Sequence, residues 1–204
     1  MYIKLITLRD RDLPEVLSVA AKALSEGQII AYPTETFYAL GAAFCNEDAL
    51  ERLSALKGRA DNKPFPLIAG SVEIIKSIVA SLDDKTLNLG QMYWPGALTV
   101  ILKAKQGLCC RFIVSTEGTL AVRIPGESFA LKLAQYLDYP ITSTSANPAG
   151  YPPPSDAETV LKYFGAGLID VVIDGGETPG GFPSTIIEVT DEIKVLRNGA
   201  VNVL

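Results

Sequence analysis

Gln28-Ile29-Ile30-Ala31-Tyr32-Pro33-Thr34-Glu35-Thr36 is the stretch from which the fold reads. The apolar run 28–32 predicts a short buried strand, and Pro33, lacking an N–H for a ladder, ends it. Thr34, Glu35 and Thr36 then lie just past a strand terminus, where open α/β sheets collect ligands. Upstream, Asp12 and Glu15 form a capping-box pattern ahead of Val16, Leu17, Ala20, Ala21 and Leu24, and Gly27 closes the segment. That predicts an amphipathic helix. Downstream, Asn46 caps a second helix carrying Ala49, Leu50, Leu53 and Leu56, with Lys57 in its last turn and Gly58 as C-cap.

The alternation continues outward. Residues 65–69, 98–103, 119–124, 168–173, 184–189 and 193–196 predict strands, and another starts at Ile141. Residues 71–79, 86–93 and 127–137 predict helices. A further helix follows a capping box of Ser155 and Glu158, before Val160, Leu161 and Phe164. Trp94-Pro95-Gly96 reads as a turn, and the glycines and prolines of 175–183 as a flexible loop or lid. Strands dominate the end of the chain. The expected architecture is one α/β domain over 1–204, a twisted mixed β-sheet flanked by helices.

Composition narrows the chemistry. The chain has 204 residues, a net charge of -5 and no histidine. Ser-His-Asp triads, Cys-His pairs and histidine-ligated zinc are therefore excluded. The acidic balance argues against broad contact with a nucleic-acid backbone, which needs many cations. Cys45, Cys109 and Cys110 have no metal-ligand spacing and fit reduced thiols in a cytoplasm. No apolar run approaches the roughly 20 residues that cross a bilayer, so no membrane role is expected.

Against this acidic background, Lys57, Arg59 and Lys63 gather beside Gly58 and Pro64. Such a cluster suits an anion. Hydroxyl-rich segments would suit the same ligand: Pro33-Thr34-Glu35-Thr36, Ser143-Thr144-Ser145-Ala146-Asn147 and Pro183-Ser184-Thr185. Together they point to a phosphorylated small molecule such as a nucleotide. Each has a plain structural alternative. Lys57 could complement a helix C-terminus, and the Ser/Thr segment could be a strand end followed by an Asx or Ser turn. Arg123, set between Val122 and Ile124, is either ion-paired or bound to ligand.

At these residues the chain resembles the YrdC/Sua5/YciO family. The resemblance runs through Tyr32-Pro33-Thr34-Glu35-Thr36-Phe37-Tyr38-Ala39-Leu40-Gly41, Lys57-Gly58-Arg59 with Lys63-Pro64, Trp94-Pro95-Gly96 with Leu98-Thr99, and Ala121-Val122-Arg123. It continues in Ser143-Thr144-Ser145-Ala146-Asn147, Pro183-Ser184-Thr185 and Leu196-Arg197-Asn198-Gly199. The family's main activity is synthesis of threonylcarbamoyl-AMP, and the chain looks like its short form, without the C-terminal Sua5 domain. Ala39, and Ala60 where many relatives have proline, are departures, and Ala39 is similar to the YciO branch.

The resemblance implies a YrdC-like fold with a basic concave site. It implies a nucleotidyltransferase that joins ATP, L-threonine and bicarbonate or CO2, with Mg2+ arriving on ATP. Glu35 could reach that ion through water or serve a structural hydrogen bond; no protein ligand to the metal is assigned. The implied catalytic residues are Lys57 and Arg59. Lys57, Arg59, Lys63, Ser143, Ser145, Asn147 and Arg197 would bind nucleotide and phosphate, and Thr34, Arg123 and Ser184 the threonine. The product would serve the threonylcarbamoyladenosine (t6A) modification of tRNA through a transfer complex. A contact with tRNA or double-stranded RNA stays open. The alternative reading is a YciO-like nucleotide- or RNA-binding paralogue with little synthase activity.

Overall fold

The computed structural model describes residues 3–8, 12–58, 63–108, 110–165 and 167–203. It has the mixed α/β class expected from the sequence, with its strands divided between two sheets. The first sheet has β1 (Lys4–Thr7), β2 (Ile30–Pro33), β3 (Tyr38–Gly41), β8 (Thr144–Ser145) and β9 (Val171–Asp174), in the order β1-β9-β2-β3-β8. The second has β4 (Leu67–Ile68), β5 (Leu98–Lys103), β6 (Thr119–Arg123), β7 (Ile141–Thr142), β10 (Thr185–Val189) and β11 (Ile193–Arg197). Its order is β11-β10-β5-β6-β4-β7. The helices are α1 (Leu13–Ser25), α2 (Glu47–Lys57), α3 (Val72–Ile78), α4 (Asp84–Tyr93), α5 (Phe129–Tyr136) and α6 (Ala157–Phe164).

Side-chain alternation in the first sheet sets the layers. On one face Ala31, Tyr38 and Leu40 join a core with Leu67, Val100, Val122 and Ile187 of the second sheet. On the other, Ile30, Tyr32 and Ala39 pack with Val16, Ala20 and Leu24 of α1 and with Phe129, Ala130 and Leu133 of α5. Strand β2 is thus buried throughout, which is why it reads as an unbroken apolar run.

Local chemistry explains most helix ends. Asn46 accepts a hydrogen bond from Ala49 N at the start of α2 (2.9 Å), and Gly58 closes that helix in the left-handed region at φ 57°. Two capping expectations need correction. Asp12 is the N-cap of α1 but makes no side-chain cap bond. The cap of α6 is Asp156, one residue later than expected, accepting from Thr159 N at 2.7 Å. Strands β1 and β3 were not expected. Each is only four residues long, and β1 owes its pairing to β9, far along the chain.

Topology brings several chain segments to one place. β10 and β5 run parallel, so Ser184 and Thr99 lie near the same end of the second sheet. β6 and β11 run antiparallel to β5 and β10, which returns Arg123 and Arg197 to that end. The turn joining β2 to β3 and the short β8 come from the first sheet to face them. No helix among the described residues is long and apolar enough to cross a membrane.

Candidate functional site

Between these strand ends lies a cavity of about 300 Å³, at the lower end of the range for small-molecule sites. Arg123, Arg197, Ser184, Ser143, Ser145 and Thr34 all line it. None of the described lining residues is acidic. Behind the lining, the Glu35 carboxylate accepts a hydrogen bond from Arg123 Nη1. Both side chains are largely buried, 10% and 16% exposed. Of the two alternatives for Arg123, the ion pair is therefore made, on the wall of the cavity.

The second guanidinium is held differently. Arg197 donates through Nε and Nη2 to the Ser184 carbonyl (3.0 and 2.7 Å), and through Nη2 to Ser184 Oγ (3.0 Å). Ser184 Oγ also shares a hydrogen with Thr99 Oγ1 at 2.9 Å. Partial burial, and then the charge of Arg123, pulls the Arg197 pKa below the ordinary arginine value. Two cations on the lining, one of them paired with a carboxylate outside it, leave a surplus of positive charge.

Packing around the rim fixes these groups. Trp94 Nε1 donates to the Leu98 carbonyl (2.7 Å) and Gly96 N to the Ile124 carbonyl (2.9 Å), so the Trp94-Pro95-Gly96 turn ties the start of β5 to the end of β6. A Cβ on Gly199 would collide with the Pro183 carbonyl and the Ser184–Thr185 peptide. Glycine there lets the last described segment lie against the start of β10, where Ala200 N donates to Pro183 O (2.9 Å). On the opposite wall, Tyr38 OH donates to Gly176 O (2.8 Å) and accepts from Gly175 N (3.0 Å). Burial pushes the Tyr38 phenol up to about 12. The neighbouring Tyr32, fully buried and donating to Thr142 O (3.0 Å), is likewise raised by burial.

Several expected site residues sit elsewhere or are occupied. Lys57 is buried and does not line the cavity. Its ammonium donates to the carbonyls of Ser145 (2.7 Å) and Asn147, joining α2 to the segment after β8. Asn147 is also buried and outside the lining; its Nδ2 donates to the carbonyls of Pro148 (3.0 Å) and Tyr151 (2.6 Å). Lys63 is exposed and outside the lining. Arg59 lies outside the described residues. Thr34 lines the cavity, but its hydroxyl donates to Phe37 O (2.7 Å) and accepts from Thr36 N (3.1 Å), which closes the turn between β2 and β3.

Thr36 and Thr144, from two of the hydroxyl-rich segments, also line the cavity, and so does Thr99, which lies outside those segments. Thr99 had a readable signal. It is the one polar residue in the apolar part of β5, Leu98-Thr99-Val100-Ile101-Leu102, and it is buried.

The family profile described as "Sua5_yciO_yrdC: Telomere recombination" matches residues 22–199. A threonylcarbamoyl-AMP synthase of Pyrococcus abyssi is 36% identical over 192 residues, covering 94% of this chain and 56% of that protein. The structure of P. abyssi Sua5 complexed with L-threonine superposes with a TM-score of 0.87 at 34% identity, covering 98% of this chain and 58% of that one. E. coli YciO superposes with a TM-score of 0.85 at 27% identity, covering 98% of this chain and 97% of that one. The chain spans about half the length of the curated relatives from P. abyssi and Bacillus subtilis that it matches. It belongs to the Sua5/YciO/YrdC family.

Proposed function

We propose that the chain is an L-threonylcarbamoyl-AMP synthase: it joins L-threonine, CO2 or bicarbonate and ATP, and releases pyrophosphate. The observation that carries this reading is the pairing of Arg123 and Arg197 at one hydroxyl-lined cavity whose described lining residues include no acid. Such a site attracts anions, and both the threonine carboxylate and the phosphates of ATP are anionic. The names of relatives such as the P. abyssi synthase, and the threonine held by P. abyssi Sua5, favour the same reading.

In the reaction the threonine amine adds to CO2 and loses a proton, giving a carbamate. A carbamate oxygen attacks the α-phosphorus of ATP, and pyrophosphate leaves with the electrons of the broken P–O bond. This needs alignment and stabilisation of developing negative charge more than a strong base. Arg123 and Arg197 supply fixed positive charge. Ser143, Ser145 and Ser184 offer hydroxyls to phosphate and carboxylate oxygens. Lys57 acts behind the site, by fixing the backbone of Ser145 and Asn147. Mg2+ enters as part of the ATP substrate, held mainly through phosphates and waters.

The reading extends to a cytoplasmic enzyme whose product passes to a tRNA-modifying complex. The test is pyrophosphate release together with mass-spectrometric detection of threonylcarbamoyl-AMP. Both should require threonine, bicarbonate and Mg2+. Nucleotide binding with no product would overturn the synthase reading in favour of a YciO-like role.

A further inference from the structure

We propose that Thr99 is a positioning residue: its hydroxyl fills the last acceptor place on Ser184 Oγ and so fixes the Ser184 hydroxyl as a donor to an anionic substrate oxygen in the cavity. This rests on the reading that threonine and ATP enter there, and it assigns what sets the polarity of one wall.

The first observation is the direction of Thr99. Its neighbours Leu98 and Val100 belong to the apolar core. Alternation along β5 turns Thr99 to the other face of the sheet, where it lines the cavity beside its cross-strand partner Ile186. It is only 2% exposed. An apolar β-branched residue would fill that place without a hydroxyl to satisfy.

The second is a count of hydrogens. Ser184 Oγ lies 2.9 Å from Thr99 Oγ1 and accepts from Arg197 Nη2 at 3.0 Å. A buried hydroxyl that keeps its proton from any acceptor is costly. Among the described residues, Ser184 Oγ is the acceptor within reach of Thr99 Oγ1. Thr99 is therefore the donor of the pair. A hydroxyl oxygen accepts through two lone pairs, and Arg197 and Thr99 occupy both. The hydrogen of Ser184 is left over, and Ser184 lines the cavity. That hydroxyl can give a hydrogen bond and cannot receive one.

The third is the setting. Arg197 also holds the Ser184 carbonyl through Nε and Nη2, so the backbone beneath the hydroxyl is fixed. Hydrogen bonds received by an oxygen strengthen the one it donates. An oxygen of a carboxylate or a phosphate is the acceptor that fits such a group, and an ammonium or another O–H is refused.

The test is isothermal titration of L-threonine and of ATP, each alone, into the wild type, Thr99→Val and Thr99→Ser, and again in the Ser184→Ala background. Val keeps the branched shape and removes the hydroxyl; Ser restores it. Thr99→Val should weaken threonine, if a carboxylate oxygen rests on Ser184, or ATP, if a phosphate oxygen does, by about three- to tenfold. Thr99→Ser should stay within about twofold of the wild type. With Ser184→Ala already present, Thr99→Val should add less than about twofold, because Thr99 acts through Ser184.

Unchanged affinity for both substrates in Thr99→Val would make the hydroxyl a tie between β5 and β10 and overturn the proposal, with the synthase reading left standing. Equal weakening with and without the Ser184 hydroxyl, or no recovery in Thr99→Ser, would overturn it too. NMR of the wild type needs no variant to fold. The Thr99 hydroxyl proton should exchange slowly with water and show NOEs to the Ser184 β-protons. Exchange as fast as that of an exposed hydroxyl would overturn the proposal. If the wild type binds neither threonine nor ATP, the proposal and the substrate reading fall together.

Discussion

The cations of this protein fall into two groups that look alike in sequence and differ in space. Lys57 ends a helix and spends its ammonium on the carbonyls of Ser145 and Asn147. Arg123 and Arg197 end strands of the second sheet and meet at a cavity, the first paired with Glu35 and the second held by Ser184. The first arrangement is a staple: its partners belong to the chain and are always present. The second leaves positive charge for a partner that arrives from outside. Whether a buried or half-buried cation marks a site depends on what its N–H groups already touch, which residue type and spacing do not reveal.

The largest contrast should come from Lys57→Met. Leaving one buried and one part-buried carbonyl without their donor should cost about 3 kcal/mol of stability, read by urea denaturation without ligand. A loss below about 1 kcal/mol would move Lys57 into the other group. Arg197→Met should do the reverse. ATP affinity should fall about ten- to hundredfold, while the free protein stays within about 1 kcal/mol of wild type, because a repulsion with Arg123 is also removed. A stability loss of about 2 kcal/mol or more with normal ATP affinity would make Arg197 a second staple.

A third outcome concerns the buried tyrosines near the cavity. Their folded pKa values are raised above the ordinary 10.0. Their contribution is therefore complete below about pH 10 and is lost as pH rises through the folded values, because the unfolded chain ionises first. Stability should fall between pH 10 and 12 by up to about 1.4 kcal/mol per pH unit for each phenol. Tyr32→Phe or Tyr38→Phe should flatten that slope in urea titrations. The smallest effect is expected for Thr34→Val, which removes the hydroxyl of the turn and should cost about 1 kcal/mol. Since that hydroxyl is already engaged, the preference for threonine over valine should persist. Loss of that preference would return Thr34 to the substrate-reading group.

Much of the fold was legible because it rests on local signals. Asn46, Gly58 and the apolar stripe between them specify α2 within a dozen residues, and β5 is bounded as expected. Legibility failed where partners are remote. Strand β1 has meaning only beside Val171–Asp174, and β3 only as the return of β2. In the site, Ser143, Ser145, Ser184, Arg123, Arg197 and Thr34 were readable as polar residues at strand ends, and the topology brings them together. Lys57 and Asn147 lie outside the cavity lining and are joined to each other across the fold, a placement that residue type and spacing do not reveal. Thr34 and Thr36, read together as one hydroxyl-rich segment, do lie at the same turn.

The position of β9 between β1 and β2 has a consequence on the ribosome. Both of the earlier strands use β9 as their neighbour. At roughly 5–20 residues per second, the wait from β2 to β9 is on the order of ten seconds or more. Through that interval the apolar Ile30-Ala31-Tyr32 run is made but lacks one flank of its sheet. A nascent chain in this state is a natural client for a chaperone. Slowing translation after β2 would lengthen its exposure, whereas slowing it after β9 would not.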